Sequence, residues 1–201
     1  MTEKKIVAAA AGPSGDRPRS DLKVAYQPGS DPLVLDLKSK VAYLFGEAIE
    51  AAVKRVVKAF GVDTGFLSIE DGGAVEWVIL ARVEACLSRA GFEGPAVLPE
   101  ASPHAEAKTS RDRLRRSRLY VPGNQPKLML SAGLYGADGI ILDLEDSVPP
   151  AEKDAARILV RNALVAMDWG SSERMVRVNQ GDLGADDIEE IGCHNPHVVV
   201  L

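Results

Sequence analysis

Along the first ninety positions the spacing of apolar residues changes from period two to a helical period. Leu22, Val24 and Tyr26 alternate with polar neighbours, as do Leu33, Leu35 and Leu37, which predicts two strands. The stretch "QPGSDP" at 27–32 is rich in turn formers, so the two strands are expected to form a hairpin. From Val41 the apolar positions recur at steps of three and one, through Leu44, Phe45, Ala48, Ile49, Ala52, Val53, Val56, Val57 and Phe60. That pattern is one face of a helix, with Lys54, Arg55 and Lys58 off it and Gly61 past its end. "GFLSIE" at 65–70 predicts a third strand and "DGG" a turn. "AVEWVILARVEACLSRAG" then predicts a second helix, with Val75, Val78, Ile79, Val83, Cys86 and Leu87 inward. Arg82 falls at the edge of that stripe and is expected to snorkel to water. The order is ββαβα, a small α+β unit. The Ala, Gly, Pro, Ser and charged residues of 1–20 read as a mobile arm before it.

A different plan follows. Residues 93–112 hold several prolines and no sustained period, which predicts a linker. Beyond it, "SRLYVPG", "ADGIILDLE", "ERMVRVN" and "HVVVL" read as strands. "QPKLMLSAGLYG", "PAEKDAARILVRNALVAM" and "LGADDIEEIG" read as the helices between them. Apolar, β-branched strands alternating with helices predict a parallel α/β sheet over 113–201. With about four strands it is either a small open sheet or part of a TIM-type barrel.

Composition narrows the function classes. The chain has 201 residues, 46% hydrophobic and 26% charged, and a net charge of −5, so as a whole it is not built to bind a polyanion. Its two cysteines, Cys86 and Cys193, are far apart, which argues for a reducing compartment and against a disulfide framework or zinc ribbon. No apolar run is long enough to span a membrane, and the N-terminus lacks a signal-peptide core, so the cytoplasm is expected.

In parallel α/β folds the chemistry gathers at the carboxyl ends of strands. Here one strand end delivers Asp143, Glu145 and Asp146, and another delivers Arg177 and Asn179. Carboxylates beside a guanidinium suit a hard cation such as Mg²⁺ together with an acidic substrate held by the arginine. A structural ion-pair network tying the strand ends together is the alternative. The turn in "YVPGN", from Tyr120 through Gly123, has backbone amides that could face a phosphate or carboxylate. The tract "RDRLRRSR" at 111–118 holds five arginines but no interleaved aromatics, so a solvated lead into a strand outweighs RNA binding. His104, His194 and His197 lack metal-ligand spacing, Cys86 reads as core, and Cys193 has no identifiable partner. Ser14 and Ser20, each near an aspartate in the arm, are accessible hydroxyls suited to covalent modification.

These pieces resemble a known pair of proteins. "RSRLYVPGN", "GADGIILDLEDSV", "EKDAAR" and "VRVN" follow the order and approximate spacing at the start of the citrate lyase β-subunit family, which includes malyl-CoA and citramalyl-CoA lyases. That likeness covers Arg116 to Leu201. "AAAAG", "SDLKV", "KVAYLFGEAIEAAV" and "IEDGGAVEWVILARVEACLSRA", within 1–92, look like the citrate lyase acyl carrier protein, its γ subunit. The resemblance implies a carrier at 1–92 fused through 93–112 to the N-terminal half of a TIM-type lyase barrel at 113–201. It implies retro-Claisen cleavage of a citryl thioester, the overall reaction taking citrate to acetate and oxaloacetate. Mg²⁺ and Arg177 would polarise the departing keto acid, with Asn179, Tyr120 and Gly123 lining the substrate. Glu145 and Asp146 would face the metal through its waters, the direct ligands being expected on strands after Leu201, so as a single chain the lyase would be incomplete. It further implies a phosphoribosyl-dephospho-CoA prosthetic group on Ser14 or Ser20. Ser14 matches the family's serine-to-aspartate spacing and Ser20 its context before the first strand. Implied partners are the transferase (α) subunit and either the rest of the barrel or a second copy, with no nucleic acid or membrane. The alternative is a non-enzymatic carrier whose half barrel only docks.

Overall fold

The computed structural model describes residues 5–13 and 19–201, so Ser14 lies outside the described residues. The chain divides into two compact units, Met1–Leu98 and Pro99–Leu201.

The first unit holds β1 (Ala9–Ala11), β2 (Leu22–Pro32), β3 (Val34–Ser39), α1 (Ala42–Ala59), β4 (Thr64–Asp71) and α2 (Glu76–Ala90). Its sheet runs β1-β2-β4-β3, so the expected hairpin does not form. Leu33 alone separates β2 from β3, which leaves too few residues for a hairpin loop. β4 enters between them, antiparallel to β2 and parallel to β3. The turn-rich "QPGSDP" is absorbed as the irregular end of β2, where the register shifts between Gln27 and Pro32. The parallel pair is joined by α1 as a crossover, the connection such a pair requires. Part of the arm is also a strand, because β1 pairs with β2 from Ala9 opposite Tyr26 to Ala11 opposite Val24.

The core of this unit lies between the sheet and the two helices. Leu22, Val24 and Tyr26 of β2 and Leu67 and Ile69 of β4 meet Val53 and Val56 of α1 and the apolar side of α2. Gly65 is required at the start of β4, because at its φ of +102° an added Cβ would come within 2.6 Å of the Gln27 carbonyl oxygen. Every residue from Trp77 to Leu87 is buried, including Arg82, which therefore does not snorkel. Its Nε and Nη2 donate to the two carboxylate oxygens of Asp21 at 3.0 and 2.8 Å, and the same carboxylate accepts the Leu22 amide. Cys86 is core as expected. Burial pushes its thiol pKa up to about 11, so it stays a protonated donor, directed at the Ala9 carbonyl.

The second unit alternates as the pattern predicts: β5 (Arg118–Pro122), α3 (Pro126–Ala132), β6 (Gly139–Asp143), α4 (Lys153–Ala166), β7 (Glu173–Arg177), α5 (Gly181–Ile191) and β8 (Val198–Val200). All pairings are parallel, and the spatial order β5-β6-β7-β8 follows the chain. Crossovers are right-handed, so successive steps in one direction set the helices on one face of the sheet and align the strand carboxyl ends. β6 is buried along its whole length, which explains its unbroken apolar run. Part of the stretch read as linker packs on this unit. Arg174 of β7 donates to the carbonyls of His104, Ala105 and Ala107, and the Ser102 amide donates to Val165. The arginine tract stays largely exposed, as a solvated lead into β5, but is anchored at three points: Arg115 grips the buried Glu173, Arg116 pairs with Asp138 and Arg113 donates to the Ser171 carbonyl. No helix among the described residues is long and apolar enough to cross a membrane.

Candidate functional site

The register of the parallel sheet sets Pro122, Asp143 and Arg177 side by side across β5, β6 and β7. Each lies at or near the carboxyl end of its strand, and the acids and the arginine meet there. Arg177 Nε and Nη2 donate to the two oxygens of Asp143 at 2.8 and 2.7 Å. Its remaining nitrogen, Nη1, lies 3.2 Å from Glu145 Oε2 and 3.1 Å from Asp146 Oδ2. The Tyr120 ring, half exposed, sits 5.4 Å from the guanidinium carbon, within cation–π range. Three carboxylates therefore face one guanidinium, and the cluster is net negative.

Asp143 organises this end of the sheet. Its carboxylate also accepts the amides of Glu145 and Ser147, at 2.9 and 3.2 Å, which folds residues 144–147 into a turn over the strand end. Its carbonyl accepts the Gly123 amide at 2.8 Å and the Ser147 hydroxyl at 3.2 Å. Burial works to raise the Asp143 pKa, but the hydrogen bonds from Arg177, Ser147 and Glu145 outweigh it and hold the carboxyl at about 2. Asp143 reciprocally pushes the Arg177 pKa above its ordinary value, so the guanidinium is permanently charged. From the other side Lys153, at the start of α4, donates to the Leu144 carbonyl at 2.7 Å and to the Glu145 carbonyl. The turn carrying the acids is thus tied to β6 and α4 at once.

The sequence-predicted residues divide on this geometry. Arg177, Glu145, Asp146 and Tyr120 come together. Gly123 is adjacent, but its amide is taken by Asp143 and does not face an anion. A glycine is needed there because an added Cβ would meet Asp143 O and a Leu144 methyl at 2.9 Å. Asn179 turns away: its amide N–H and its side-chain nitrogen both donate to the buried Asp187 of α5, at 2.9 and 2.7 Å. Ser20, the described one of the two candidate serines, precedes β2, and its amide donates to the Gly72 carbonyl at 3.1 Å. Sequence reasoning placed Asp143 among the strand-end acids but did not assign it as the anchor of Arg177, and it missed Lys153. The first had a signal in the acid ending an apolar run; a lysine eight residues past Glu145 carried none.

Glu145 and Asp146 suit contact with the waters of a divalent cation. No three His, Cys, Asp or Glu groups among the described residues gather as a metal site. These residues therefore do not by themselves fit a directly ligated cation.

Comparison with known proteins bears out the two-part resemblance. Residues 116–201 match the HpcH/HpaI aldolase/citrate lyase family model, and residues 13–90 match the model described as malonate decarboxylase delta subunit. The carrier match is thus to an acyl-carrier (ACP) model that takes its description from a malonate decarboxylase subunit. Over 70 residues the chain is 54% identical to citrate lyase subunit beta of Leuconostoc mesenteroides subsp. cremoris, covering 35% of this chain and 23% of that protein. Over 99 residues it is 38% identical to citrate lyase subunit beta of Escherichia coli K12, covering 48% and 33%. Over 88 residues it is 40% identical to a (3S)-malyl-CoA thioesterase of Cereibacter sphaeroides, covering 43% and 31%. The chain spans between 23% and 33% of the length of these relatives.

Proposed function

We propose that this chain is a component of a citrate lyase-type system, its first unit carrying an acyl thioester and its second contributing to carbon–carbon cleavage of that thioester. The observation that carries the reading is the meeting of Arg177 with Asp143, Glu145 and Asp146 at the carboxyl end of a parallel sheet, behind a carrier-like unit. The consecutive order β5-β6-β7-β8 supports a partial TIM-type barrel, whose strand ends are the place for such chemistry.

In a citryl thioester, the tertiary hydroxyl loses its proton as the bond to the acetyl carbon breaks. The electron pair passes to the thioester enolate, which is then protonated, and the hydroxyl carbon becomes the keto group of oxaloacetate. Asp143 fixes the orientation of Arg177; Nη1, paired in this structure with the less buried Glu145 and Asp146, is the nitrogen that would hydrogen-bond an oxygen of the forming keto acid in exchange for one of them. Tyr120 supports that guanidinium by its ring, and Lys153 holds the acidic turn. The net negative cluster repels an acidic substrate unless a cation offsets it. This supports a Mg²⁺ requirement, with Glu145 and Asp146 facing the metal's waters and its direct ligands supplied elsewhere. The carrier reading places a phosphoribosyl-dephospho-CoA group on Ser14 or Ser20, loaded by a transferase-type partner subunit in the cytoplasm.

Two measurements test the reading. Intact mass of the chain produced with its modifying enzymes is expected to show the prosthetic-group adduct; its absence removes the carrier. Cleavage of citryl thioester in the assembled system is expected to need Mg²⁺ and Arg177. Thioester hydrolysis without carbon–carbon cleavage would move the second unit toward the thioesterase relatives. Loss of neither activity on changing Arg177 would leave it a docking module.

A further inference from the structure

The apolar stripe of α1 is longer than the surface that covers it. Ile49, Ala52, Val53 and Val56 are buried, whereas at the other end of the helix Tyr43, Leu44 and Phe45 are 84%, 63% and 55% exposed. Beside that uncovered end runs a groove of about 710 Å³ between α1 and the start of α2, floored by Val41, Phe45, Ala48, Val75 and Ile79. A second cavity of about 860 Å³ shares the lining residues Val41 and Gly73, so the two adjoin. The second is of opposite character: Arg19, Lys38 and Lys40 line it. Of the acids there, Asp71 is engaged by the Ser39 hydroxyl and the Gly73 and Ala74 amides, which leaves Glu70. Lys38 has an exposed ion pair with Asp36 at 3.4 Å, which in water competes weakly with a phosphate. Gly72, whose carbonyl accepts the Ser20 amide, also lines the cationic cavity, so Ser20 stands at its rim.

A channel that is cationic beside a modifiable serine and apolar at its far end fits a tethered chain with phosphates near its attachment and an acyl thioester at its tip. We infer that the carrier unit shelters its own prosthetic arm. The phosphates rest against Arg19, Lys38 and Lys40, and the thiol or thioester end lies in the groove between α1 and α2. This rests on the carrier reading above and adds to it a resting position for the arm. The sheltered thioester is protected from water and from stray thiols, and is released when a catalytic partner offers a better site. Electrostatic holding at one end and apolar burial at the other make the docking weak and reversible, as a carrier that must give up its cargo requires.

The test uses the full chain in its modified form, with Cys193→Ser so that the exposed cysteine thiol does not react; Cys86 is buried. Intact mass first establishes that the adduct is present, and the rate at which iodoacetamide alkylates the arm's free thiol is then measured. Ala48→Trp fills the groove from an exposed position, and Lys38→Glu with Lys40→Glu reverses the charge of the other cavity. Each change is expected to speed alkylation about tenfold, as for an arm docked about nine-tenths of the time. Raising the salt concentration is expected to speed it in the parent and not in the charge-reversed form. Equal rates in all forms, with the adduct present, overturn the sheltering while leaving the carrier intact. Absence of the adduct overturns the carrier and the sheltering with it.

Discussion

The two units each contain an arginine that grips an aspartate with Nε and Nη2, and the two pairs serve different ends. In the first unit the side chains of Arg82 and Asp21 are 2% and 7% exposed, sealed between α2 and the start of β2. In the second, Asp143 is 4% exposed but Arg177 is 20% exposed, with Nη1 turned toward Glu145 and Asp146 at the edge of the sheet. The bidentate geometry is nearly the same. What differs is whether the guanidinium is sealed in or has an edge at the surface, where the partners it holds are exposed enough to be exchanged for a reacting molecule. A closed pair can only position the chain, here the Ser20–Leu22 segment. An open pair is a charged donor already oriented by its partner, which is what transition-state stabilisation requires.

Mutation separates the two pairs. The largest effect is expected for Asp21→Ala, which removes the bidentate carboxylate from a buried guanidinium and should cost the first unit about 3–5 kcal/mol. The chain has two tryptophans, Trp77 in the first unit and Trp169 in the second, so single-tryptophan variants followed in urea assign the loss to one unit. Next, Arg177→Lys, which cannot bridge Asp143 with two nitrogens, should lower citryl-thioester cleavage by about 10²–10³-fold. It should unfold the second unit far less than Asp21→Ala unfolds the first. Equal destabilisation would make the two pairs the same kind of object.

Asp143→Asn is expected to cost the second unit about 1–3 kcal/mol, since Arg177 keeps Glu145 and Asp146. Asp143 also gives that unit an acid dependence. Its folded pKa, about 2, is depressed below the ordinary value of about 3.9, so its contribution is complete above pH ~4 and is lost as pH falls toward ~2. The Trp169 urea midpoint should fall over that window, and in Asp143→Asn the part of the slope due to this carboxyl should disappear. Smallest is Glu145→Gln, which leaves the bidentate grip untouched and should change stability by less than about 1 kcal/mol.

How far the sequence revealed the fold also differs between the units. In the second, each strand pairs with the next one along the chain, so local periodicity and the parallel rule together predicted β5 to β8 and the meeting of their polar ends. In the first, the decisive pairings are remote. β4 enters between β2 and β3 after a helix, and nothing in "QPGSDP" signals that its flanking strands will be parted. Arg82 was misread for the same reason, because its partner lies 61 residues away and no helical pattern reports it. Within the site, the residue types were legible from strand ends while the pairing was not. Side-by-side register decides that Asp143 takes the fork of Arg177, and the helix after β7 decides that Asn179 is drawn to Asp187.

Arg174 holds residues 104–107 by their backbone oxygens. A clamp that reads only the main chain is indifferent to most side chains in the segment it holds. Position 106, exposed between two clamped residues, is therefore a suitable place for a spectroscopic label: a dye on Glu106→Cys would report from a fixed point on the second unit.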